Sequence, residues 1–180
     1  DGVGWIPMQC QPGGDPRNDE NPGSTDLVGN ANFPAVYVGL DAGYLYFRFR
    51  TDSDPSGPKG FDQFSWTALM QVPSGNPFQH QFQLSLNGSG ANDDFGNTKA
   101  DTIEIWANTA ASDIDFSPLF NDRSEVRLFA QRYDFSSPST QNTAPLARHL
   151  LTGDGSAFGG TPEHFAGFAV PVTVVLANGV

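Results

Sequence analysis

Apolar and polar side chains alternate most clearly over residues 44–50, YLYFRFR. One face of this run is apolar and carries Leu45, Phe47 and Phe49. The other face carries Tyr44, Tyr46, Arg48 and Arg50. Because successive side chains of a strand point to opposite faces, the pattern predicts a β-strand with one face in the core.

Further short runs of strand-forming sequence follow along the chain, separated by turn residues. They cover residues 5–10, 33–39, 64–72, 81–86, 101–106, 125–133, 164–171 and 172–176. The chain also has 20 glycines and 14 prolines, which interrupt helices. We therefore predict an all-β fold: one antiparallel β-sandwich domain, jelly-roll-like, over residues 1–180. Its long loops are residues 11–32, 51–63 and 134–162, and residues 172–180 form a Val-rich tail.

The chain is acidic, with a formal net charge of -11. This charge argues against nucleic acid as a partner, because phosphates need a basic surface. It also argues against an anionic membrane surface, and the sequence contains no apolar run long enough to span a bilayer. The chain opens at Asp1 rather than Met, as expected of an exported protein after processing and equally of an edited sequence. We therefore expect an extracellular or cell-surface location, which is rich in calcium.

The acidic loop 11–32 has almost no apolar side chain to bury, yet it is rich in oxygen ligands and proline. The candidate ligands are Asp15, Asn18, Asp19, Glu20 and Asp26. Ca²⁺ binds six to eight oxygens from such groups, although the spacing is not that of an EF-hand. Calcium is the favoured interpretation of this loop, and solvated turns are the alternative.

Other acidic clusters are weaker candidates for calcium, and for each of them solvated turns are an equally good interpretation. One cluster contains Asp52, Asp54 and Asp62. A second contains Asn92, Asp93, Asp94 and Asp101, and a third contains Asp113, Asp115 and Asp122.

Motifs for catalysis are missing from the sequence. The three histidines, His80, His149 and His164, do not have zinc-protease spacing, and there is no serine nucleophile elbow. There is also no phosphate-binding or dinucleotide-binding glycine motif. We predict that the protein is not an enzyme and has no organic cofactor.

Aromatic residues on polar faces are candidates for contact with a carbohydrate or with another subunit. Trp106 alternates with Ile103 and Ile105, so it is predicted to face solvent. The full set is Tyr44, Tyr46, Arg48, Arg50, Trp106 and Tyr133. Such side chains stack on sugar rings, anchor interfaces or form a second layer under a loop, and the arginines could pair with acidic loops.

Three segments carry a resemblance to a known group: TDLVGNANFPAVYVGLDAGYLYFRFRTDSDPSG, FSWTALMQV and GDGSAFGGTPEHFAGFAVPVTVV. Their layout, over about residues 25–72 and 150–176, resembles secreted bacterial β-sandwich proteins similar to DOMON-type and family-nine-like carbohydrate-binding modules. The resemblance implies a β-sandwich that binds carbohydrate, binds a cofactor such as haem, or serves as a surface module. A haem site needs an axial pair such as Met and His, but Met70 is expected to fill the core.

Two functions follow as hypotheses. The first is a calcium-stabilised structural or adhesive subunit that forms a homo-oligomer or polymer by strand addition. It rests on the acidic loops, on the Val-rich tail and on the end of the chain at Val180, which indicates either a trimmed tail or a sandwich that lacks a strand and has an open edge. The alternative is a carbohydrate-binding module that holds a polysaccharide.

Overall fold

Two antiparallel sheets form the fold. The structure, a computed structural model, describes residues 3–8, 14–57, 60–61, 64–70, 82–88, 101–108, 125–133 and 146–178. The strands of the first sheet are β1 (Trp5–Met8), β2 (Val36–Leu40), β3 (Tyr44–Thr51), β10 (Ala147–Leu151) and β11 (His164–Pro171). They lie in the order β1-β2-β3-β11-β10.

The strands of the second sheet are β6 (Ser65–Met70), β7 (Phe82–Asn87), β8 (Asp101–Asn108) and β9 (Glu125–Tyr133). They lie side by side in chain order, β6-β7-β8-β9. The short strands β4 (Ser56–Gly57) and β5 (Gly60–Phe61) pair with each other.

The core lies between the two sheets. The predicted apolar face of β3 is confirmed: Phe47 and Phe49 are buried, and both stack on Phe168 of β11 with ring centroids 5.2 Å and 6.0 Å apart. Strand β11 packs across β7 and β8. Those strands contribute fully buried side chains: Phe82, Leu84, Leu86, Ile103 and Ile105. The prediction of an all-β antiparallel sandwich is confirmed.

Strand β10 was not predicted, because Ala147–Leu151 falls inside the segment 134–162 that was expected to be a loop. It pairs with β11 in an antiparallel register, with Ala147 opposite Phe168 and Arg148 opposite Gly167. Its five residues alternate too briefly to stand out between long polar segments.

The predicted strand over residues 172–176 is wrong: Val172–Ala177 forms a short helix, α1. Helix α1 begins where β11 ends, and the Val172 N–H donates to the Gly43 carbonyl at the β2–β3 turn. The turn of the helix brings Val175 into the core, where it is 4% exposed, so burial outweighs the strand preference of valine. In the part of the chain that the structure describes, no helix has the length and apolar character needed to cross a bilayer.

Candidate functional site

The candidate site lies on the outer face of the five-stranded sheet, opposite the core. Antiparallel pairing sets Arg148, Gly167 and Arg48 side by side on β10, β11 and β3. The adjacent row of the same face contains Ala169, Tyr46 and Gly39, followed by Trp5 on β1. Side chains in register on one face of a sheet are neighbours, so these rows bring together residues that are distant in sequence.

A groove of about 320 Å³ runs over these two rows. Gly167 and Ala169 contribute little side-chain bulk on β11, whereas larger side chains flank them. The flanking side chains that the groove uses are Trp5, Tyr44, Tyr46, Arg48 and Arg148. The volume lies at the lower end of the range for small-molecule pockets, which is about 300–1,000 Å³.

The aromatic wall of the groove is held by ring contacts. The guanidinium carbon of Arg48 lies 3.9 Å from the centroid of the Trp5 ring. Trp5 meets Tyr46 edge-on, and Tyr46 meets Tyr44 at a tilt, each with ring centroids 6.2 Å apart. Gly39 permits this packing, because a β-carbon there would clash with the side chain of Val3 and touch the Trp5 ring.

Asp41 fixes the orientation of Tyr46 at one end of the groove. Its carboxylate accepts the Tyr46 hydroxyl at 2.6 Å and the backbone N–H groups of Gly43 and Tyr44 at 2.8 Å. These three hydrogen bonds, that from Tyr46 first, lower the pKa of Asp41. The same bond, with burial, raises the pKa of Tyr46 to about 12, so the phenol stays neutral and donates to Asp41 at physiological pH.

Two arginines, Arg48 and Arg148, line the groove. Burial, and then the charge of Arg148, lower the pKa of Arg48 to about 10. Arg48 is therefore still protonated at neutral pH, although the nearby second cation opposes its charge.

Arg50 lies further along the same face, but loops cover it completely. Its side chain has 0% exposure and stacks over the ring of Phe165, at 4.8 Å from the centroid. Its guanidinium donates to four groups: Asp154 at 2.7 Å, Ser156 at 2.6 Å, the Pro34 carbonyl at 3.2 Å and the Tyr37 hydroxyl at 3.4 Å. Of the arginines on this strand, Arg48 thus belongs to the groove and Arg50 to the packing of the loops.

Asp154 provides the counter-charge for Arg50. Burial would raise the pKa of this carboxyl, but the hydrogen bonds from Arg50 and Ser156 outweigh burial and hold the pKa well below its usual range. Of the alternatives that the sequence left open for Arg50, the structure shows an ion pair with an acidic residue of a loop, Asp154.

The acidic loop 11–32 is tied to the sheet by a second ion pair. Arg17 binds Asp52, which follows β3. Asp26 is fully buried and accepts the backbone N–H groups of Asn18 at 2.7 Å and Glu20 at 3.4 Å. Several of the oxygens predicted to bind calcium thus stabilise the loop through hydrogen bonds within the protein.

Repulsion among carboxylates persists in this loop. Burial, and then the charges of Asp19 and Asp26, raise the pKa of Asp15. Burial also raises the pKa of Asp26, and the carboxyl of Asp19 adds to the rise. A cation near these three carboxylates would offset the repulsion.

The other predicted metal ligands have separate positions. Asp52 is engaged by Arg17, and Asp54 accepts the hydroxyl and N–H of Ser56 and lies 3.4 Å from His149. Asp101 begins β8, but its side chain is outside the described residues, as are the whole of Asp62, Asn92, Asp93, Asp94, Asp113, Asp115 and Asp122. Within the described ranges, no three side chains of His, Cys, Asp or Glu form a group that could hold a metal ion. Calcium binding stays a prediction.

The prediction that Trp106 faces solvent is wrong: the residue is 2% exposed. It does point away from the core face of Ile103 and Ile105, but that second face is also covered. Its indole N–H donates to Glu104 at 3.1 Å, and Glu104 in turn accepts Arg127 at 3.2 Å. Trp106 thus belongs to a buried polar cluster and does not expose its ring for stacking on a sugar. Tyr133 ends β9, and its side chain lies outside the described residues.

The sequence analysis named Tyr44, Tyr46 and Arg48 as candidates on one face, and all three line the groove. It did not identify Trp5, Arg148 and Gly167, which line the groove as well. The alternation in ARHLL, residues 147–151, was the available signal for Arg148. No local pattern could place Trp5 beside Tyr46, since that contact depends on the register of three strands.

We expect the replacement of Asp154 by Asn to destabilise the protein in a pH-dependent way. The change leaves a fully buried Arg50 without its carboxylate. Breaking such a pair costs about 3–5 kcal/mol when both ions are buried. Because the Asp154 side chain is 33% exposed, we expect about 2–3 kcal/mol at pH 7.

The pH dependence follows from the sign of the pKa shift. The pKa of Asp154 is lower in the folded state than in the unfolded chain, where it is about 3.9. The stabilisation is therefore complete above about pH 4 and is lost as the pH falls through the folded-state pKa. Urea unfolding of wild type and Asp154→Asn from pH 7 to pH 2.5 measures this, and equal stability at pH 7 would contradict it.

If calcium binds at Asp15, Asp19 and Asp26, the melting temperature should be higher in calcium than in chelator. Ligand at 100 times its Kd adds about 2.7 kcal/mol to the free energy of unfolding. The variant Asp15→Asn/Asp19→Asn should lose this response and, in chelator, should melt no lower than wild type, because its loop carries less repulsion. Asp41→Asn is the control that keeps the response, and a wild type indifferent to calcium would disprove the site.

Comparisons with known proteins found no match for this chain among protein-family models, curated proteins or solved structures.

Proposed function

We propose that this protein is a non-catalytic carbohydrate-binding module, which holds a polysaccharide chain in the groove on the outer face of its five-stranded sheet. The observation that carries the proposal is the groove itself. There Trp5, Tyr44 and Tyr46 present aromatic rings beside the guanidinium groups of Arg48 and Arg148. The exported location expected from the sequence belongs to the same proposal.

The mixed character of the lining suits a sugar. Pyranose rings have apolar C–H faces that pack on aromatic rings, and hydroxyl groups around the rim that need hydrogen-bonding partners. Aromatic side chains with a polar tip serve such amphipathic ligands. The contacts of Trp5 with Arg48 and Tyr46, and of Tyr46 with Asp41, hold the rings before any ligand arrives, which lowers the entropy lost on binding.

The groove supports binding rather than hydrolysis. Glycoside hydrolysis generally uses two carboxylic acids on opposite sides of the scissile bond. Among the described lining residues there is no Asp or Glu, and the neighbouring Asp41 is engaged by three hydrogen bonds.

The proposal predicts that removing an aromatic ring from the groove weakens binding without unfolding the protein. Trp5→Ala and Tyr44→Ala should each reduce affinity for a bound polysaccharide by about tenfold or more, the effect of losing a central contact of about 1.4 kcal/mol. Affinity electrophoresis in gels containing soluble polysaccharides, neutral and acidic, provides the measurement.

Two variants serve as controls. Tyr44→Phe keeps the ring and should retain most of the binding. Leu69→Ala removes an exposed side chain from β6 on the other sheet and should bind as wild type does. The groove is not a glycan site if wild type binds no polysaccharide. The same conclusion holds if both alanine variants keep full affinity, so that Tyr44→Ala binds as well as Tyr44→Phe and Trp5→Ala binds as well as wild type.

We propose self-assembly as a second candidate function, because the edge of the five-stranded sheet exposes apolar side chains. Ile6 on β1 and Leu40 on β2 are 64% and 61% exposed, and Met8 is 46% exposed. Strand β1 ends the sheet on one side and β10 on the other. Pairing β1 of one copy with β10 of the next would continue the sheet in an open-ended assembly. Pro7 donates no hydrogen bond, so apolar contact supplies much of the attraction.

Sedimentation velocity tests this second candidate. Wild type should form species larger than a monomer at tens of micromolar, and Ile6→Lys should restore the monomer because it places a charge in the contact. Leu176→Lys makes a matched change at a 52% exposed position of helix α1 and should assemble as wild type does. A wild type that stays monomeric, with or without calcium, would rule out this assembly.

A further inference from the structure

We infer that two aromatic residues of the groove have different roles: Tyr44 carries the ring on which a sugar stacks, and Trp5 is a positioning residue. Trp5 holds the side chains of Arg48 and Tyr46 and does not itself stack on the ligand. This division of roles rests on the proposed function and deepens it, because it assigns the stacking contact to one side chain.

The ring of Trp5 is already in contact with protein groups. The guanidinium carbon of Arg48 lies over the ring, 3.9 Å from its centroid, and Tyr46 meets the ring edge-on. The ring also lies against Gly39, where an added β-carbon would be 3.5 Å from it. Carbon atoms in contact lie about 3.5–4.0 Å apart. The guanidinium therefore occupies the place that a sugar ring would need on that face of Trp5.

The polar edge of Trp5 is not accessible to a ligand either. Its indole N–H is buried and has no hydrogen-bond partner among the residues that the structure describes. A sugar hydroxyl cannot accept this hydrogen unless the surrounding side chains move. The contacts of Trp5 therefore serve to hold Arg48 and Tyr46 rather than to bind a sugar.

Tyr44 is placed differently. Its side chain packs in part against the core, but it also lines the groove and is only half-buried. Its ring meets Tyr46 at an angle of 53°, with centroids 6.2 Å apart, so the two rings do not cover each other face to face. Within the described ranges, the Tyr44 hydroxyl forms no hydrogen bond and its ring contacts no other aromatic ring. Ring and hydroxyl are therefore both available to a sugar.

Tyr44 is nevertheless held in a fixed place, through its backbone. Asp41 accepts the N–H of Tyr44 at 2.8 Å, and the same carboxylate accepts the hydroxyl of Tyr46 at 2.6 Å. Asp41 and Trp5 thus fix Tyr46 from two sides, and Tyr46 in turn lies against the Tyr44 ring. Tyr44 can contact a ligand without first breaking a hydrogen bond of its own side chain, which lowers the cost of binding.

Fluorescence quenching by acrylamide separates the two roles. Trp66 and Trp106 are 4% and 2% exposed, so in wild type the quencher reports mainly on the half-buried Trp5. The double variant Trp5→Phe/Tyr44→Trp moves this reporter to position 44. The probe is whichever of dextran, glucomannan and polygalacturonate wild type binds most tightly in affinity electrophoresis. At saturation it should lower the quenching constant several-fold for the reporter at position 44 and leave that of Trp5 in wild type unchanged.

Affinities for the same polysaccharide give a second measurement. Tyr44→Ala should lose about tenfold in affinity, because it removes the stacking ring. Trp5→Ala should also bind more weakly, because Arg48 and Tyr46 lose their support. Trp5→Phe should restore most of that loss, since a smaller ring still offers a face to one side chain and an edge to the other. Circular dichroism checks that each variant is folded.

The outcomes distinguish this division of roles from the proposed function. Shielding of Trp5 in wild type as strong as that at position 44 overturns the division, and so does a bound polysaccharide that leaves the reporter at position 44 unshielded. A Tyr44→Ala variant with the affinity of wild type also overturns it. In these cases the groove still binds a glycan if Trp5→Ala weakens binding. Binding of wild type to none of the three polysaccharides overturns the division of roles together with the proposed function.

Discussion

The buried charge of Arg50 is the constraint on which the surrounding structure depends. A guanidinium with no exposure to water is stable only when hydrogen bonds and a counter-charge surround it. The partners come from two separate segments, Pro34 before β2 and the turn that contains Asp154 and Ser156. Both segments must therefore fold over the outer face of the sheet. The hydrogen bonds of Arg50 thus hold both segments against the sheet as a cover.

That cover divides the outer face of the sheet into two parts. At the end that contains Arg50, loops and the rings of Phe33 and Phe165 close over the strand. At the other end, the small residues Gly167 and Ala169 lie at the floor of the groove, between larger side chains. A single alternating strand, β3, supplies both parts: Arg50 organises the loops, and Arg48 lines the groove two residues earlier. The same sequence pattern therefore both stabilises the loops and lines the groove.

The fold was largely predictable because alternation is a local property. The face of β3 that carries Phe47 and Phe49 is buried as the pattern indicates. The failures occurred where non-local contacts decide the outcome. Valine-rich residues 172–176 form a helix because this brings Val175 into the core, and Trp106 is buried although it lies opposite the core face. The groove was only half predictable, since Trp5 and Arg148 join Tyr46 and Arg48 through strand register alone.

The acidic loops show why composition alone overstates the need for metal. Carboxylates crowded in a loop require positive charge or hydrogen-bond donors, and a metal ion is one source among several. Here Arg17 forms an ion pair with Asp52, Arg50 forms one with Asp154, and backbone N–H groups donate hydrogen bonds to Asp26. Repulsion remains nearby: burial and the charges of Asp19 and Asp26 raise the pKa of Asp15, and burial and Asp19 raise that of Asp26. Among the described residues of this loop, Asp15, Asp19 and Asp26 are therefore the carboxylates at which an added cation would offset repulsion.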